Sequence, residues 1–351
     1  MLQQLNQLPA GLLDADARDL EGLLGGPTLI HLPGRREETL FLSVLLHGNE
    51  TTGFEALQRL LRDYGPAGTE ELPRALSIFI GNVSAAAKGI RRLDGQPDYN
   101  RVWPGAEDGG TPEHAMMAET LDIMMRRKLF ASVDLHNNTG LNPHYACVNL
   151  IDHRFFHLAT LFSRTVVYFT RPKGVQSMAF ARHCPAVTLE CGKVGQTLGV
   201  DHAREFLEAC LHLSALPDHP IAERDIDLFH TVATVKVPDT LSFGFGINGV
   251  DLSLAEDLDR LNFRELPRDT LFGWVRPGAE VALEVRDEHG NDVAARLFSL
   301  EEGELRSRVP VMPSMLTRDE TVVRQDCLCY LMERYTDHVD NPSPTDVVEA
   351  S

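Results

Sequence analysis

Two histidines and two glutamates, placed at the mouths of apolar runs, carry the chemistry this sequence offers. His47-Gly48-Asn49-Glu50 follows the run Thr39 to Leu46, and His136 closes Val133-Asp134-Leu135-His136. Two imidazoles and a carboxylate are what a catalytic zinc requires if its fourth position is to stay open for water. His47 and Glu50 stand three apart at a strand-to-helix junction, so both can face one point beyond the strand. Alone, such a pair is a weak signal that a helix start explains better, since a carboxylate is favourable there. A second histidine leaving a second strand tips the reading toward a metal, with Asp134 placed to orient His136. Glu190 ends Thr188-Leu189-Glu190 at the mouth of another buried run. There it suits a general base for a metal-activated water. Its plainer reading is a solvent-facing residue or a salt bridge to Lys193. Between the histidines lie Arg91-Arg92 and Asp98-Tyr99-Asn100-Arg101. Arginine beside asparagine in a turn-rich loop makes a carboxylate clamp, because guanidinium binds that group through two parallel hydrogen bonds.

The elements that must hold these residues alternate. Thr39 to Leu46, Ala75 to Ile80, Ala131 to Leu135, Ala146 to Ile151, Thr165 to Phe169 and Ala186 to Leu189 read as buried strands. Phe54, Leu57, Leu60 and Leu61 recur at helical spacing from Thr51 to Tyr64. Thr111-Pro112 opens a helix expected to run to Leu129, and a further helix spans about Val200 to Leu216. Strands alternating with helices of this length predict a mainly parallel sheet flanked by helices. Ligands bind such sheets beyond the carboxyl ends of the strands, where His47, His136 and Glu190 all fall. After Pro220 the texture becomes β-rich, with strands expected at Leu228 to Val237, Glu280 to Val285 and Asp292 to Phe298. The expected organisation is an α/β catalytic domain over 1–220, a smaller β-rich domain over 221–340 and a polar tail over 341–351.

A net charge of −18 over 351 residues argues against nucleic acid and anionic membranes as partners. No apolar run is long enough to span a membrane, and Met1 to Asp14 lacks a signal-peptide pattern. The six cysteines are scattered and form neither a disulfide framework nor a finger-type zinc site, which fits a reducing cytoplasm. His144, His153, His157 and His183 read as ordinary surface or packed histidines, and Cys191 as a small buried residue.

The order H-G-N-E, then G-N-x-x-A at Gly81-Asn82, then Arg91 followed by D-Y-N-R, D-L-H-N and L-E-x-G-K resembles the succinylglutamate desuccinylase/aspartoacylase family. That family shares the zinc carboxypeptidase-like fold, and the resemblance spans roughly residues 25 to 215. It implies one zinc per chain held by His47, Glu50 and His136, with Glu190 as general base. It also implies Arg91, or alternatively Arg92, as the residue that polarises the scissile carbonyl, and Asn100 with Arg101 as the grip on a substrate carboxylate. The arginine that precedes the general base in aspartoacylases has no clear counterpart here, with Lys173 and Arg182 its loose candidates. The expected reaction is hydrolysis of an amide next to a free carboxylate, deacylating a small N-acyl amino acid. A carboxypeptidase acting on peptide C-termini and a catalytically silent carboxylate-binding homologue stay open as alternatives, as does a homo-oligomer.

Overall fold

A computed structural model describes residues 2–64, 70–107, 109–279 and 282–335. Among these residues, twelve strands, the central ones apolar on both faces, have assembled into one mixed sheet. Its path runs Gln3–Leu5, Thr28–Leu32, Leu76–Ile80, Thr39–Val44, Leu129–His136, Ala186–Glu190, Tyr145–Val148, Thr165–Tyr168, Asp227–Lys236, Cys329–Arg334, Met312–Ser314, and Glu284–Asp287 also pairs with Asp227–Lys236. Thr39–Val44, Leu76–Ile80 and Ala186–Glu190 are buried along their whole length, as continuous apolar runs require. The three strands that lead to the candidate residues are parallel neighbours. Ser43 sits opposite Asp134, and His136 opposite Glu190.

Helices flank the sheet. Thr52–Asp63 buries Phe54, Ala56, Leu57, Leu60 and Leu61 and packs against Thr197–His212. Gly53 lets that helix lie close to its strand, since a Cβ there would come within 2.6 Å of the Leu135 Cβ. The helix opened by Thr111 runs Pro112–Met125, with the Thr111 side chain accepting from the His114 N–H. It stops short of the expected end because Leu129 already begins the strand that carries His136.

Past Ile226 a second apolar core forms around Val235, Leu252, Leu254, Leu258, Val285, Leu316 and Leu328. It packs a five-stranded sheet in the order Phe243–Phe245, Leu252–Leu254, Leu271–Val275, Glu304–Ser307, Phe298–Glu301. The strand Asp227–Lys236 belongs to both cores: Leu228 packs in the first, Ala233 and Val235 in the second. One local expectation fails. Asp292 to Phe298 is not a strand but a short helix, Ala294–Leu297, leading into the strand Phe298–Glu301. Asp292 accepts from the Ala294 N–H at 3.0 Å, a side-chain turn that bends the chain just before the helix, and two alanines follow, helix formers that outweigh the apolar spacing. The expected strand from Glu280 begins outside the described residues, and its described part is Glu284–Asp287. The tail over 341–351 lies outside them too. All six cysteines are free and buried.

Candidate active site

The turn after Thr39–Val44 is held tightly. Leu45 takes a left-handed φ of 56°, uncommon for a side chain of this kind, and its carbonyl accepts from the Asn82 N–H. Gly48 comes so near the short helix Val83–Ala86 that a Cβ would lie 2.2 Å from the Ala86 nitrogen. Its N–H donates to the Arg91 carbonyl at 3.0 Å. One turn thereby fixes His47, Glu50 and Arg91 relative to one another.

His47, Glu50 and His136 present ligand atoms that all lie within 4.8 Å of one another, and all three are buried. The His47 Nδ1 is 2.9 Å from Glu50 Oε1, and the His136 Nδ1 is 2.7 Å from Glu50 Oε2. The opposite ring nitrogens are already committed: His47 Nε2 to Asp98 at 2.9 Å, His136 Nε2 to Asp134 at 2.7 Å. Ser43 in turn donates to Asp134 at 2.6 Å. Carboxylates behind both imidazoles hold a proton on Nε2 and aim both Nδ1 atoms inward at Glu50, the orientation that metal-binding histidines use. The Asn137 N–H donates to Glu50 Oε2 at 3.0 Å, while its side chain bridges Thr52 and the Gly192 carbonyl. Two inward imidazole nitrogens and a fixed carboxylate fit a divalent metal of the zinc type.

In the cluster by itself both imidazoles donate from Nδ1 to Glu50, and a divalent ion would take the place of those protons. Burial alone would raise the Glu50 carboxyl, but the charges of His47 and His136 and their hydrogen bonds hold it below the usual range. Burial would lower His136, yet Asp134 and Glu50 hold it well above an ordinary imidazole. Glu190 behaves in the opposite way. Burial, with Glu50 adding to it and His136 opposing, pushes its carboxyl up to about 8. Its Oε2 is buried without a hydrogen-bond partner. Among the described residues it makes no ion pair, with Lys193 or any other cation.

These residues open onto a cavity of about 690 Å³ that includes its mouth. His47, Glu50, His136, Glu190, Arg91, Asn100 and Arg101 all line it. Arg91 is thus on the cavity, whereas Arg92 turns away to donate to the Gln96 carbonyl at 2.8 Å. Asn100 puts Nδ2 3.1 Å from His136 Nε2, and its Oδ1 accepts from the Gln176 N–H. Trp103, fully buried, packs edge-on against Phe79 and Phe180 and anchors the loop behind the clamp. Lys173 and Arg182 are not among the lining residues; Arg171 is. His144 stacks on His202 and Phe162, away from the lining.

Several lining residues had no signal of their own in the sequence. Asp326 sends one oxygen to Arg101 at 3.0 Å and the other toward Arg91 at 3.4 Å. Tyr330, Ser314 and Met315 also reach the cavity from beyond the second core, Met315 with a left-handed φ of 60°.

A family model for the succinylglutamate desuccinylase/aspartoacylase catalytic domain matches residues 36–216. The succinylglutamate desuccinylase of Pseudomonas aeruginosa is 33% identical over 212 residues, which cover 56% of this chain and 61% of that protein. The match therefore spans about three-fifths of the length of that curated relative. Among solved structures, the succinylglutamate desuccinylase from Chromobacterium violaceum is 23% identical with a TM-score of 0.50, covering 72% of this chain and 86% of its own. Murine aminoacylase 3 is 13% identical with a TM-score of 0.55, covering 86% and 96%. These two likenesses concern the fold. No described helix is long and apolar enough to cross a membrane. With the motif residues gathered at one cavity and the catalytic-domain model matching half its length, the chain belongs to the succinylglutamate desuccinylase/aspartoacylase family.

Proposed function

We propose that this protein is a zinc-dependent amidohydrolase that removes the acyl group from a small N-acyl amino acid in the cytoplasm. The observation that carries this reading is Glu190: a buried carboxyl with one oxygen lacking a hydrogen-bond partner, on the same cavity as the His47–Glu50–His136 cluster. An idle structural glutamate would be paired or exposed. Zinc, when bound, supplies Lewis-acid polarisation and lowers the pKa of water toward about 7. Glu190 takes a proton from the attacking water and later delivers it to the leaving amine. Its carboxylate form, which a divalent cation beside it would favour, is the form that accepts the proton. Arg91 donates to the carbonyl oxygen as charge develops there, a contribution of about 3 kcal/mol for a well-placed donor. Asn100 and Arg101 grip the substrate carboxylate and fix the amide between base and metal.

Ser314, Met315, Asp326 and Tyr330 from the C-terminal part also line the cavity, and the wall they add favours a small substrate over a peptide C-terminus. No ligand or base residue of the motif set is missing, which weighs against a silent homologue. The test is amine release from N-acyl amino acids and short peptides by zinc-loaded protein, with Glu190→Gln alongside. We expect release from N-acyl amino acids, and a variant that keeps its zinc and loses nearly all turnover. Release from peptide C-termini alone would move the protein to the carboxypeptidases. A fully active Glu190→Gln would remove the base assignment.

A further inference from the structure

The cavity's cations are already balanced by the protein itself. Three arginines line it, Arg91, Arg101 and Arg171. Arg91 holds Asp98 at 3.0 Å, Arg101 holds Asp326 at 3.0 Å, and Arg171 pairs with Glu107. A substrate carboxylate can still reach the Asn100 amide and the outer side of Arg101, whose side chain is 26% exposed. A second carboxylate finds no unpaired cation among the described lining residues, and would approach Asp326 instead.

Asp326 is the residue that makes this so. It caps the short helix Glu320–Gln325 and is set in place by the second core through Val323 and Leu328. It lies far outside residues 36–216, so the family model does not cover it. Resting on the proposed deacylase reading, we infer that Asp326 determines the charge class of the substrate. It fills the anion position between Arg91 and Arg101, so that the site takes an N-acyl amino acid with a single carboxylate, an uncharged acyl group and an uncharged side chain. Apolar walls support this. Val167, Phe169, Pro172, Val175 and Met315 line much of the remaining space, and the hydroxyls beside them, such as Thr231, Ser314 and Tyr330, offer hydrogen bonds but no countercharge to a charged acyl end. The preference thus runs opposite to a substrate bearing a succinyl or glutamyl carboxylate, as the relatives' name describes for them.

The experiment uses amide-for-acid pairs of matched shape: N-acetylglutamine against N-acetylglutamate, and N-succinamoylglutamine against N-succinylglutamine. A like charge forced against Asp326 at contact distance lowers kcat/KM by about a hundredfold or more. We expect zinc-loaded protein to prefer the amide in each pair by that factor. Asp326→Asn should shrink the preference at least about tenfold by raising kcat/KM for the acid. Asp326→Ser serves as the second variant, each accepted after its melting curve is checked. Calorimetric binding of free glutamine against glutamate gives a readout independent of turnover. Acid substrates preferred by the unaltered protein, or an unchanged ratio in both variants, would overturn the inference. If no pair is hydrolysed, the deacylase reading fails, while the glutamine-over-glutamate binding preference still decides the role of Asp326.

Discussion

Gly48→Ala tests how the H-G-N-E turn positions its ligands. The new Cβ would lie 2.2 Å from the Ala86 nitrogen and 2.4 Å from the Ala85 carbonyl carbon, where ordinary contact begins at 3.4 Å. Both neighbours are backbone in a helix whose start is capped by Asn82, so no side chain can swing aside. Either the turn or the helix must retreat by about 1 Å, the kind of overpacking that costs about 1–3 kcal/mol. The retreat also pulls on the bond from Gly48 to the Arg91 carbonyl, and so displaces His47, Glu50 and Arg91 together. Metal ligands tolerate only about 0.2 Å, so zinc affinity should fall by about a hundredfold or more. Competition with a chromogenic chelator measures the affinity. Thermal unfolding in excess chelator separates the fold's loss from the metal's. A variant with wild-type affinity and wild-type melting would refute the reasoning, because the close approach would then position nothing.

Asp134→Asn removes the anion behind His136 Nε2 at 2.7 Å and should weaken zinc by about 10–100-fold in the same competition. An unchanged affinity would mean that Asp134 does not orient the ring. Trp103→Ala empties a fully buried site behind the clamp loop and should cost about 3–5 kcal/mol in urea unfolding, with KM rising more than kcat falls. Loss of kcat alone would contradict that placement. His31, buried beside Ser77, is lowered from 6.5 to about 4 by burial and by Arg127. The unfolded chain therefore takes up a proton that the folded one refuses. Its contribution is present above pH 6.5 and is lost as pH falls toward 4. Denaturant titrations across that window should show a decline that flattens in His31→Gln, and a parallel decline in both proteins would exclude His31 as its source.

Most of the candidate site was legible because His136 and Glu190 end buried strands and His47 and Glu50 follow one closely. An apolar run with a histidine or glutamate at its mouth is readable in one dimension, and parallel neighbours bring such mouths together. His47, Glu50, His136 and Glu190 accordingly line one cavity. What stayed hidden acts sideways or from afar. Asp98 was visible within D-Y-N-R, but its grip on His47 depends on how that loop folds back, which no spacing encodes. Asn137 looked like a neighbour of His136, yet its N–H aligns Glu50 and its side chain ties the helix start to the Gly192 carbonyl. Asp326 stands in a polar stretch more than two hundred residues from the arginines it meets, and an acid in such a stretch reads as a solvated surface. The short helix Ala294–Leu297 escaped because four residues are too few for periodicity to separate helix from strand.

The strand Asp227–Lys236 pairs with Thr165–Tyr168 and then Glu284–Asp287 along one edge and with Cys329–Arg334 along the other. Because it packs in both cores, the C-terminal third is not a detachable module. A protease that nicks a surface loop should leave two fragments still laced through a common ladder, running as one species until denaturant is added. Recombination faces the same constraint. A C-terminal part borrowed from a relative would have to reproduce this strand's register on both edges before it could offer its own residue at the place of Asp326, so substrate preference here can drift by point substitution far more readily than by exchange of whole segments.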